Sequence, residues 1–240
     1  MPSRCQSHTY AARAKDSMEH RFTRGEYWLL ETVVKMEVPI CYVNSTSYAE
    51  RDGLESMFNK PEHGLDTDRL TETLHELFCA GFIEAFRGDA YEVAFAPSLD
   101  EIVAALWERG PRHNPLCTCY RLTARGGEAW ESFAAPRWER FVLEEIQYDE
   151  PGPIPLTSMT SWCVSALLEN LKLVCFEIDE SFGYSTTLGE WKATYWKSLP
   201  SGFRTHTRWL REFPDPWSDE LRNLAFSGYC ARRDAWYRWR

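Results

Sequence analysis

The sequence predicts an α+β fold, a helix-rich first part followed by a smaller α+β part, and three observations carry that expectation. Capping boxes with apolar residues at helical spacing recur through the first 140 residues. Two alternating runs, FIEAF and YEVAFAP, flank a Gly-Asp turn and read as a β-hairpin. The stretch VLEEIQYDEPGPIP, with four acids and three prolines, marks a division near Pro151–Pro155. The expected organisation is a flexible arm over 1–22, a first domain over 23–150 and a second over 151–240.

Thr23 and Glu26 form a T-x-x-E box ahead of a helix carrying Trp28, Leu29, Val33 and Met36, which Pro39 stops. Ser47 and Glu50 repeat that logic before a shorter helix around Tyr48 to Asn59. Asp66 or Thr67 caps a third helix with Leu70, Leu74, Leu77 and Phe78 on one face and Gly81 as its left-handed end. After the hairpin, Ser98 and Glu101 box a helix over LDEIVAALWERG, and LCTCYRLT reads as a strand. Thr123 caps the next helix, in which Ala129, Trp130 and Phe133 share a face. Two glycines in its first turn, Gly126 and Gly127, weaken a helix and so imply close approach of something packed over them. The second part reads as helix TSWCVSALLENL, strand LVCFEI, a polar turn at DESFGYSTT, strand EWKATYWKSL, a turn at PSGF, strand RTHTRWLREF and a helix WSDELRNLAF.

The pattern L…L…LF.AGFI (Leu70, Leu74, Leu77, Gly81, Phe82, Ile83), then Leu122, Thr123 and Gly126 in Y.LT..G, resembles winged helix-turn-helix domains of the MarR and PadR regulator families. The resemblance covers roughly the first 140 residues. It implies that the third helix would read DNA, the hairpin would be the wing and the L-T-x-x-G turn would start the next helix. The capped helix at Leu99 to Arg109 departs from the family pattern.

Charge departs further. The chain carries a formal charge of −9, but residues 26–100 hold 5 Lys/Arg against 15 Asp/Glu while residues 191–240 hold 10 against 5. Asp68, Glu72 and Glu76 recur every fourth residue on the outer side of the third helix, opposed by only Arg69 and His75. DNA affinity rests on cations meeting phosphate, so this face disfavours a DNA reader and suits a basic protein partner. A plain solvated helix face is the commoner fate of such a row. The terminal RRDAWYRWR places Arg232, Arg233, Arg238 and Arg240 among aromatics, a pattern that fits nucleic acid or docking on the acidic part.

The chemistry-bearing motifs are few. His113, Cys117 and Cys119 give H-x3-C-x-C without a second ligand pair, so the two thiols read as core residues and no metal is expected. There is no G-x-S-x-G, Walker loop or dinucleotide fingerprint, and no cofactor is expected. Eight Cys without C-x-x-C suit reduced thiols, and the first twenty residues hold no apolar secretory stretch, so the expected location is cytoplasmic, away from membranes. The first expectation is a non-enzymatic binder of a basic protein, of inhibitor or immunity type. A DNA-binding regulator with a sensing or oligomerising second domain comes next, and an enzyme in the C-terminal half third.

Overall fold

The computed structural model describes residues 22–44, 63–87, 94–111, 113–145, 152–174, 176–212, 227 and 235–237. The helices expected around Tyr48 to Asn59 and over WSDELRNLAF lie outside them, as do the four tail arginines. Among the described residues, five α-helices and antiparallel sheets make an α+β fold.

Helix α1 (Arg24–Thr32) starts where Thr23 accepts from the Glu26 amide and Glu26 accepts from the Thr23 amide, 2.7 Å, so two orphan donors are met at once. Strand β1 (Val38–Pro39) follows, then a 3-10 turn over Ile40–Val43. Helix α2 (Thr67–Cys79) is capped by Asp66, whose carboxylate accepts from the Arg69 amide at 2.9 Å. It ends as its glycine requires: Gly81 takes φ +70°, and the Gly81 and Phe82 amides return to the carbonyls of Phe78 and Leu77.

Strand β2 (Ile83–Arg87) pairs along its whole length with β3 (Thr118–Leu122), which pairs on its other edge with β1. Phe95, from the second alternating run of the expected hairpin, meets β2 in an antiparallel bridge at Ala85, and the turn and the start of that run, 88–93, lie outside the described residues. Pro97, two residues on, has no N–H to extend a ladder, and Ser98 caps α3 (Leu99–Leu106). Helix α4 (Ala124–Ala134) begins at Thr123, whose hydroxyl accepts from the Gly126 amide and donates to the Gly81 carbonyl. A side chain at Gly126 would meet the Phe82 carbonyl, and one at Gly127 the Trp196 ring, so the glycine pair marks close packing. A 3-10 turn over Trp138–Arg140 follows α4.

The second sheet holds β4 (Val142–Glu144), β5 (Pro153–Ser158), β9 (Gly202–Glu212) and β6 (Phe176–Leu188), in that order, with α5 (Ser161–Val174) packed on it. Pro153 and Pro155, from the stretch expected as a boundary, lie in β5, an inner strand. Three expectations are corrected here. LVCFEI divides between the end of α5 and the start of β6. DESFGYSTT lies inside β6, where the register against β9 slips between Asp179 and Tyr184 and an irregular bulge absorbs the extra residues. EWKATYWKSL is two short strands, β7 (Trp191–Lys192) and β8 (Ser198–Leu199), closed by a turn in which the Ala193 amide donates to the Lys197 carbonyl.

The main core gathers Leu29, Leu30, Leu70, Leu74, Leu77, Trp130 and Tyr120 with Trp191, Leu199 and Trp236 from the last fifty residues, and Phe133 packs at its edge. A second cluster, Ile154, Leu156, Val164, Leu167 and Leu171, lies between α5 and β5.

Candidate functional site

Helix α2 presents the predicted row as a consequence of its period. Leu70, Leu74, Leu77 and Phe78 are buried, and residues displaced from them around the helix must face outward. Asp68, Glu72 and Glu76 are all exposed, and none makes an ion pair with a described residue. Arg69 and Cys79 are exposed beside them, and Cys79 Sγ lies 3.5 Å from Nε2 of His75. The carboxylates stand one helical turn apart on a rigid element, so they offer a line of anionic acceptors to an approaching cation.

Both ends of this helix are fixed by polar groups. At the N-terminal side, buried His63 accepts from the Leu65 amide through Nδ1, 2.9 Å, so Nε2 carries the proton and donates to the Val43 carbonyl at 3.2 Å. Burial holds the His63 pKa below the ordinary histidine range. At the C-terminal side, Arg125 donates to the Ala80 carbonyl at 2.6 Å and stacks over Phe82, a cation where the helix dipole is negative.

The tail is anchored through its aromatics. Trp236 is fully buried against Trp130, Trp138, Phe141 and Tyr237, and its carbonyl accepts from the Arg137 amide at 2.6 Å. The Tyr237 hydroxyl donates to Glu31, 2.9 Å away. The predicted positions Arg232, Arg233, Arg238 and Arg240 lie outside the described residues, so the structure brings the tail to the core without placing those guanidiniums.

The H-x3-C-x-C stretch runs from a turn into β3. Cys117 is buried and Cys119 half-buried, and the Cys119 thiol donates to the Cys117 carbonyl at 3.8 Å; the neighbouring thiols act on each other, lowering the pKa of Cys117 and, together with burial, raising that of Cys119. His113 is exposed on the preceding turn. Among the described residues no three His, Cys, Asp or Glu side chains are grouped to hold a metal ion. Of the linker acids, Glu145 pairs with Arg204 at 2.6 Å and Glu144 belongs to β4.

Two features escaped sequence reasoning. The turn between β7 and β8 delivers Tyr195 and Trp196 onto α1's end, where Tyr195 donates to the Val33 carbonyl (2.5 Å) and accepts from the Leu122 amide, and Trp196 donates to the Val34 carbonyl (2.9 Å). Leu99, Val103 and Trp107 are exposed together along α3. Their spacing of four was visible in the sequence as a signal, but their exposure was not.

Helices packed on antiparallel sheets, with an acidic helix face turned outward, define the chain as an α+β protein with a candidate docking surface. It matches no family model, no curated protein and no solved structure. Among the described residues no helix is long and apolar enough to cross a membrane.

Proposed function

We propose that this chain is a non-enzymatic protein-binding protein, of inhibitor or immunity type, that uses a winged-helix-like scaffold to hold a basic protein partner in the cytoplasm. The observation that carries the reading is the exposed row Asp68, Glu72 and Glu76 on α2, without an ion pair to any described residue. Long-range attraction between such a row and a cationic surface speeds encounter and weakens as salt screens it. The scaffold reading draws support from α2 leading through Gly81 into β2, from the pairing of β2 with β3 and from α4 starting at Thr123, with α3 as an insertion between the paired strands. Cys79, Cys117, Cys119 and Cys163 form no disulfide among the described residues, which suits a reducing compartment.

The same order of elements favours a second reading, a DNA-binding regulator in which α2 enters the groove. Its acidic outer face opposes phosphate. One double variant separates the two: Glu72→Gln with Glu76→Gln should slow association with a co-purifying basic protein and lower its salt dependence. Under the regulator reading the same variant tightens binding to duplex DNA. A titration in which neither ligand responds to the change returns the row to a solvated surface and removes the proposal.

A further inference from the structure

Helix α3 is capped and half-sunk in the fold, with Ile102, Ala105 and Leu106 buried and the helix packed on α2 and the 3-10 turn over Ile40–Val43. Its outer side is not polar. Leu99 is 44% exposed, Val103 44% and Trp107 48%, and the three follow one another at i, i+4 and i+8 along one stripe. Scattered exposed apolar residues need no explanation, but three large ones aligned on a well-capped helix form a patch of the kind that partners cover.

The stripe is symmetric about Val103. Leu99 lies four residues before it and Trp107 four after, so rotating a second copy about an axis through Val103 sets Leu99 of each against Trp107 of the other. The charges are arranged the same way. Asp100, exposed near one end, and Arg109, exposed past the other, each lack an ion pair to a described residue, and antiparallel pairing brings each toward the opposite charge of the other copy. We infer that the outer face of α3 pairs with the same face of a second copy of this chain, antiparallel about Val103.

The patch is small, on the order of 250 Å² per copy, well under half of the ~1,200 Å² total typical of stable complexes even when doubled. The pairing is therefore concentration-dependent, monomeric when dilute. Salt screens both the repulsion between two net-negative copies and the Asp100–Arg109 attraction, so with an apolar stripe at its centre the pairing should depend only weakly on salt.

Sedimentation of the full chain across a hundredfold concentration range tests this. The wild type should pass from monomer to dimer, and Val103→Asp, checked for an unchanged thermal midpoint, should stay monomeric. Asp100→Arg or Arg109→Asp alone should weaken the dimer, and the two together should restore it, which no purely structural role for either residue would produce. A chain monomeric throughout, or a dimer indifferent to Val103→Asp, would overturn the inference. Failure of the double swap to restore pairing overturns the antiparallel arrangement.

Discussion

At Gly126 an added methyl would have to share space with the Phe82 carbonyl, which is backbone and already holds the Thr123 amide at 3.1 Å. Gly126→Ala should therefore destabilise the fold by about 1–3 kcal/mol despite alanine's better helix propensity, read as a lower denaturant midpoint at unchanged slope. Unchanged or raised stability would mean that α4 shifts freely, contrary to its close seating. His63 gives a residue-scale prediction in pH. Its folded pKa is lowered by burial, so between the folded value and the ordinary one near about 6.5 the unfolded chain binds more protons. Its contribution is intact above that ordinary value and is lost as pH falls through the folded one. His63→Gln, which keeps an amide donor and acceptor, should flatten this part of the stability profile below about pH 6.5. A profile identical to wild type would sink the assignment.

Elements differ in how far sequence alone could place them. Caps and periods were legible: Thr23 with Glu26, Asp66, Gly81, Ser98 with Glu101, and Thr123 all act where local chemistry points, because the interactions span three or four residues. The acidic row was legible for the same reason, as a consequence of helical period. Partners distant in the chain were not. Nothing near Ile83 tells it to pair with Leu122 across an intervening helix, and nothing in DESFGYSTT announces that its polar residues continue an edge strand. In α3, apolar residues crowd nearly every side, more than one buried face requires, but which of them stay outside depends on what packs against the helix. The β7–β8 turn was the least legible, since its role depends on where Tyr195 lands. Tyr195→Phe keeps the ring but leaves the Val33 carbonyl and Leu122 amide without their hydroxyl partner. It should cost about 2–4 kcal/mol in chemical denaturation. A loss below about 0.5 kcal/mol would show that water or backbone motion satisfies both groups, as surface substitutions do.

Across the whole molecule, charge and packing tie the end of the chain to its beginning. The region from 191 to 240 carries an excess of basic residues and that from 26 to 100 an excess of acids, and the contact between them includes Tyr237 on Glu31 and the Lys35 ammonium 5.8 Å from the Trp236 ring. Packing dominates this union, because Trp236 is completely enclosed by rings from α4, from the 3-10 turn after it and from the chain end itself. Exposed ion pairs are worth under about 1 kcal/mol, whereas emptying a buried tryptophan site costs about 3–5 kcal/mol. The neighbouring Trp138 also joins Glu131 and Lys197, so the cluster is braced from the β7–β8 turn as well. Elements that share one core in this way should unfold together. In guanidinium chloride, helical circular dichroism and tryptophan fluorescence should trace one coincident transition, and Trp236→Ala should move both by the same amount, equivalent to about 3–5 kcal/mol. High salt should move them far less, since screening acts on the Glu31 and Lys35 contacts and leaves the ring packing untouched. Two separated transitions, with Trp236→Ala shifting only the fluorescence step, would mean that the four-stranded sheet and its α5 cluster fold independently of the aromatic centre.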